Sequence, residues 1–159
     1  MKRHDRSIGI RAEADGINWA VIEGSREDPV LHAHGSEKAP AAYNEAERLS
    51  WVRQRILHII TQYEPTGMAV RYPEHTALGA NKDSARARCR VEGVVLEVAA
   101  SKNLEVVTGT LNTISKNLGG KHSAKEYLAT DDFRGLDWSN YKTNLQEAIV
   151  VATSILQEQ

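Results

Sequence analysis

Between Val106 and Lys125 the sequence carries Lys116, Lys121, His122 and Lys125 and no acidic residue. Thr110, Asn112, Thr113, Ser115 and Asn117 are interleaved with them, and Gly119-Gly120 supplies backbone that a phosphate can approach closely. Lysines, hydroxyls and glycine amides are the groups that hold nucleic-acid backbone without reading base sequence. The same composition also describes a polar loop with ordinary helix caps, and the residues alone leave both readings open. Lys82 to Arg90 adds Arg86, Arg88 and Arg90, partly offset by Asp83 and Glu92. His32 and His34 share one face of a period-two segment. A metal site needs a third ligand, and none stands near them, so a solvated strand face is expected. Cys89 lies among small residues and is expected to pack as one.

Composition sets limits on these patches. The chain has 159 residues, 41% hydrophobic and 26% charged, enough for one domain with a full core. The expectation is a single domain over residues 1–159. A net charge of −1 is not that of a protein that grips DNA over its whole surface, so affinity must come from a local patch or from a partner. One cysteine excludes an internal disulfide and a cysteine zinc cluster. No stretch approaches the roughly 20 apolar residues of a membrane span, nor resembles a signal peptide. A cytoplasmic location without membrane contact is therefore expected.

The elements that must position these side chains follow from periodicity. Ser7–Ala12, Ile17–Glu23 and Pro29–Gly35 read as three strands, with Asp15-Gly16 as a hairpin turn. Asn44 and Glu47 form a capping box ahead of a helix that runs to Tyr63, and Pro65 stops it. Met68–Tyr72 reads as a fourth strand, Gly79-Ala80-Asn81 as a loop, and Asp83–Ser101 as a second helix. Leu104–Thr108 is a fifth strand. Short helices over Thr110–Leu118 and Lys121–Ala129, an irregular acidic linker over Asp131–Asp137 and a last helix over Ser139–Glu158 complete the chain. The fold class is α/β, a five-stranded mixed sheet with helices on both faces.

Gly67 to Gly120 resembles the matching stretch of the RuvC family of Holliday-junction resolvases, within the RNase H-like fold. The resemblance rests on a strand, a loop and N-x-x-S-A (Asn81 to Ala85). A helix with an R-x-x-G step, a short strand beginning Leu104-Glu105-Val106 and a threonine-led helix running into Gly-Lys-x-Ser-Ala follow. Gln146 to Ala152 resembles the family's last helix.

In that family two Mg²⁺ ions are held by four acidic residues, because two cations about 4 Å apart clamp the attacking and leaving oxygens and need converging carboxylates. Carried over residue by residue, the first-strand position falls on Arg11 and the fourth-strand position on Arg71. The helical pair falls on Asn144 and Glu147, which keep the i, i+3 spacing. One carboxylate of four remains, and two guanidiniums repel a cation. The resemblance with this departure implies a catalytically degenerate RuvC/RNase H-like protein, leaning away from an enzyme and needing no cofactor. It would act as a nucleic-acid-recognition or structural subunit of a nucleic-acid-processing or phage-defence assembly. Arg11, Arg71, Asn144 and Glu147 are expected to converge and to favour an anion. Thr110, Asn112, Lys116, Lys121, His122 and Lys125 are the expected nucleic-acid contacts, because this region lies beside DNA in RuvC-like proteins. The partner is branched or single-stranded DNA, or RNA, and the chain a homodimer or a subunit of a complex, since RuvC-type proteins are dimers and the second helix is apolar on more than one face. A second reading keeps catalysis, as a Mg²⁺-dependent structure-selective endonuclease with carboxylates rearranged over Glu13, Asp15, Glu74 and Glu147. A third is a protein-interaction module without nucleic-acid contact.

Overall fold

The computed structural model describes residues 4–74 and 82–159. The loop expected at Gly79-Ala80-Asn81 lies outside the described residues. Five strands, β1 (Arg6–Glu13), β2 (Gly16–Gly24), β3 (Pro29–Lys38), β4 (Gly67–Tyr72) and β5 (Glu105–Thr110), form one sheet in the order β3-β2-β1-β4-β5. The first three pair antiparallel, while β4 and β5 run parallel to β1. The mixed five-stranded sheet is the architecture expected from the sequence, and β1 lies in its centre.

Strand parity decides what each face carries. Ile8, Ile10 and Ala12 of β1, with Met68 and Val70 of β4, enter one apolar cluster under α1 (Glu45–Tyr63) and α2 (Lys82–Ser101). Ser7, Gly9 and Arg11 alternate to the other face, where α5 (Thr143–Ser154) crosses the sheet. The crossing is close. A Cβ on Gly9 would lie 2.0 Å from the Ala148 carbonyl oxygen, so only glycine lets the helix sit there. The Ser7 hydroxyl donates to the Ala152 carbonyl at 2.6 Å. Every residue of α5 from Leu145 to Ser154 is buried, because the segment before it covers its outer side.

That segment contains α3 (Leu111–Ser115), a 3-10 turn (Lys116–Leu118), α4 (Ala124–Leu128) and a two-residue hairpin of β6 (Asp132–Phe133) and β7 (Leu136–Asp137). The linker expected to be irregular is thus paired, and its Phe133 ring stacks on Trp138 at 4.8 Å. The capping box of α1 forms as expected, with Glu47 N donating to Asn44 Oδ1 at 2.9 Å and Asn44 N to Glu47 Oε1 at 3.0 Å.

Two expectations need correction. The last helix is shorter than Ser139–Glu158, because Gln157 N donates to the His4 carbonyl and His4 N to that of Ile155, pulling the chain after Ser154 out of the helix. Cys89 is exposed on α2 rather than packed inside. No helix among the described residues is long and apolar enough to cross a membrane.

Candidate functional site

The C-terminal ends of β1 and β4 lie side by side, with Ile10 paired to Val70, so the next residues, Arg11 and Arg71, leave the sheet on the same face. Glu147 of α5 descends between them. Arg11 Nε donates to Glu147 Oε2 at 3.0 Å and Arg71 Nη2 to Glu147 Oε1 at 3.3 Å. Each guanidinium is anchored a second time by backbone: Arg11 Nη1 donates to the Ala12 carbonyl at 2.6 Å, and Arg71 Nη1 to that of Tyr72 at 2.9 Å. The side chains of Glu147 and Arg71 keep only 9% and 10% of their surface, so water screens this pair weakly. Nε of Arg71 is buried and has no hydrogen-bond partner among the described residues.

A third guanidinium arrives from α2. Arg88 donates to the Arg71 carbonyl at 3.2 Å and to Glu92 Oε2 at 3.3 Å, one turn along the same helix. Burial, and then repulsion from Arg11, lowers the Arg88 pKa to about 10; Glu92 and Glu147 oppose the shift. Burial also raises the Glu92 carboxyl above its ordinary value, with Arg88 pulling the other way. Both shifts report charges crowded in a poorly hydrated place.

The other carried-over residues divide. Asn144, three residues before Glu147, donates to Glu13 Oε1 at 3.2 Å, and Asn18 donates to Glu13 Oε2 at 3.1 Å, so both sit at the rim of the cluster. Asp15 lies in the hairpin turn, where its carboxylate is 4.0 Å from Lys38 Nζ, and Glu74 lies just past β4. Neither bonds to the arginines. Arg88 and Glu92, read from the sequence only as part of a basic helix start, are the residues whose place in this cluster sequence reasoning missed. Their i, i+4 spacing was visible, but nothing in it says that α2 reaches past the sheet edge to β4.

Of the expected nucleic-acid contacts, Thr110 caps α3, its hydroxyl accepting from Thr113 N at 3.3 Å. Asn112, Lys116, Lys121 and Lys125 are exposed. His122 is exposed too, with its ring nitrogen 2.9 Å from Glu126 Oε2.

Comparison with known proteins adds the family. The family model described as Crossover junction endodeoxyribonuclease RuvC matches residues 8–131. The chain belongs to the RuvC family. A crossover junction endodeoxyribonuclease RuvC of Methylocella silvestris is 31% identical over 125 residues, covering 78% of this chain and 69% of the relative. A RuvC of Rickettsia prowazekii is 24% identical over 148 residues, 91% of each. The Thermus thermophilus RuvC structure in complex with Holliday junction substrate superposes with a TM-score of 0.75 at 18% identity, covering 95% of this chain and 92% of that one. The yeast mitochondrial Holliday junction resolvase Ydc2 has the same fold, with a TM-score of 0.67 at 8% identity and coverage of 97% and 78%.

Two expectations are overturned here. The lean away from an enzyme conflicts with membership of a family whose matching relatives are endodeoxyribonucleases. The expectation of no cofactor conflicts with the divalent-metal dependence of RuvC enzymes. Tested against such ions, the residues as arranged do not fit. Among the described residues no three Asp, Glu, His or Cys side chains gather as a metal site. Both Glu147 oxygens face guanidiniums, Glu13 is held by two amides, and Glu92 pairs with Arg88.

Proposed function

We propose that the chain is a structure-selective endonuclease of branched DNA, Mg²⁺-dependent like its family. The observation that carries this reading is the convergence of Arg11, Arg71 and Arg88 on Glu147 and Glu92 at the end of β1 and β4. A phosphodiester has two non-bridging oxygens, and a guanidinium presents donors as a planar fork that matches them. Donors fixed in place before the substrate arrives also stabilise the charge that builds on those oxygens as water adds to phosphorus. Hydrolysis breaks one phosphorus–oxygen ester bond, and the leaving oxygen needs a proton. The Glu92 carboxyl, pushed up by burial, holds its proton more readily than an ordinary glutamate and suits that task.

Thr110, Asn112, Lys116, Lys121, His122 and Lys125 extend the phosphate contacts away from the cluster, and the substrate arms lie along them. A second copy of the chain belongs to the same reading, since a four-way junction presents two strands related by a two-fold axis.

The test is cleavage of a synthetic four-way junction and of a linear duplex of the same arm sequence, with Mg²⁺ supplied. The expected result is nicking of the junction alone, lost in Glu147→Gln. Intact junction at stoichiometric protein, or cleavage that persists undiminished in Glu147→Gln, would overturn the proposal.

A further inference from the structure

We infer that the bridge from Arg11 through Glu147 to Arg71 is a latch opened by exchange: a DNA phosphodiester takes the guanidiniums, and the Glu147 carboxylate is released to face it. The inference rests on the proposed reading of this site and adds an order of events to it.

The resting bridge is stereochemically poor. Each guanidinium gives Glu147 one nitrogen, at 3.0 and 3.3 Å, rather than the paired bonds of a bidentate fork. Nε of Arg71 is left without a partner although its side chain is nine-tenths buried. A tetrahedral phosphate presents oxygens in more directions than a planar carboxylate, and so can meet donors that Glu147 leaves unmet. Charge points the same way. Three guanidiniums face Glu147 and Glu92, while Glu13 is turned to Asn18 and Asn144, so the cluster has one more positive than negative group in mutual contact. Arg88 is held in this cluster with its charge disfavoured first by burial and then by Arg11, and an arriving anion would offset the repulsion.

A route exists. A cavity of about 510 Å³ lined by Tyr72, Glu92, Gly109, Thr110 and Thr113 borders the cluster through Glu92 and Tyr72. It runs from Glu92 and Tyr72, the neighbour of Arg71 on β4, to Thr110, where the polar segment begins, so a strand backbone lying in it would reach the edge of the cluster. The latch also accounts for the misfit between this arrangement and a divalent ion. While Glu147 is bridged, guanidiniums occupy the ground a cation would need, and their repulsion keeps it out.

The experiment titrates the full chain with pyrophosphate and, separately, with a short abasic oligodeoxynucleotide, at constant ionic strength so that general screening is fixed. Binding is read by calorimetry and by thermal shift. The parent should bind both, and Mg²⁺ alone should leave its melting temperature unchanged. Arg71→Met should weaken binding about tenfold, as expected for loss of a charge-assisted contact. Glu147→Gln should strengthen binding about tenfold, because it removes the competing carboxylate. Glu147→Asp, too short to reach both guanidiniums, should shift in the same direction and covers the case in which the glutamine variant does not fold. Binding that falls or stays constant in both Glu147 variants, or that is unaffected by Arg71→Met, would overturn the latch. Phosphate exchange without junction cleavage would sink only the nuclease reading. Cleavage without phosphate exchange would sink only the latch.

Discussion

Glu147→Gln tests the geometry of the site independently of any activity. In the parent, one carboxylate serves two guanidiniums whose side chains keep 17% (Arg11) and 10% (Arg71) of their surface. Removing one partner of a buried ion pair strands the other and costs about 3–5 kcal/mol. Glutamine keeps a carbonyl oxygen for one guanidinium but turns an NH₂ group toward the other, and Arg11 is open enough to recruit some water. The expected loss is therefore about 2–3 kcal/mol. For a chain of this length that is a fall of roughly 4–12 °C in Tm. Urea denaturation at fixed salt reads it as a lower midpoint with an unchanged slope. The triple variant Arg11→Met, Arg71→Met, Glu147→Met should recover most of the loss, since well-packed apolar groups often replace a buried ion pair at little cost. A single variant within about 0.5 kcal/mol of the parent would refute the bridge, that being the usual range for a surface change. A triple variant no better than the single one would show that the stem of Glu147, and not its charge, carries the effect.

Gly9→Ala should cost about 3 kcal/mol and reduce junction cleavage, because its Cβ would meet the Ala148 carbonyl oxygen at 2.0 Å and push α5, with Glu147, off the sheet. Denaturation alongside the nicking assay checks both. Asp137 accepts from the Ser139 hydroxyl at 2.7 Å and from its amide at 3.1 Å, which lowers its pKa from the ordinary 3.8. Its ionised form therefore stabilises the fold above that value and the benefit is lost as pH falls through the depressed one. Asp137→Asn should melt slightly below the parent at neutral pH, and the difference should vanish as pH falls through the depressed pKa. Replacing Lys116, Lys121 or Lys125 by Ala should each lower the slope of log affinity against log salt by about 0.9 if that lysine neutralises a DNA phosphate, and unchanged slopes would place the segment off the DNA.

Much of this was legible in the sequence because local rules and tertiary packing agree. The period-two alternation of Ile8, Ile10 and Ala12 is visible because the opposite face of β1 carries Ser7, Gly9 and Arg11 against α5, and the Asn44 box caps α1 by purely local bonds. The meeting of Arg11, Arg71 and Glu147 was legible only through the family resemblance, since 136 positions separate Arg11 from Glu147. Arg88 and Glu92 were not, because an i, i+4 pair looks the same on a solvated face as at a site. Cys89 shows the limit of reading burial from neighbours: small residues flank it, but its own direction on α2 points outward. The end of α5 could not be foreseen either, because a bridge between His4 and residues after Ser154 competes with the helix, and the helical pattern holds no trace of that partner.

The sheet separates two apolar clusters that share no residue, one under α1 and α2 and the other around α5. At the ends of β1 and β4 the two layers are joined by polar contacts: Arg88 of α2, paired with Glu92, donates to the Arg71 backbone carbonyl, and the Arg71 side chain pairs with Glu147 of α5. The cluster is thus a polar stitch between layers that apolar contact alone keeps apart. Because the stitch is buried, salt should loosen it little, whereas Glu147→Gln should let the α5 layer open before the sheet does, so that amide exchange in the two layers diverges.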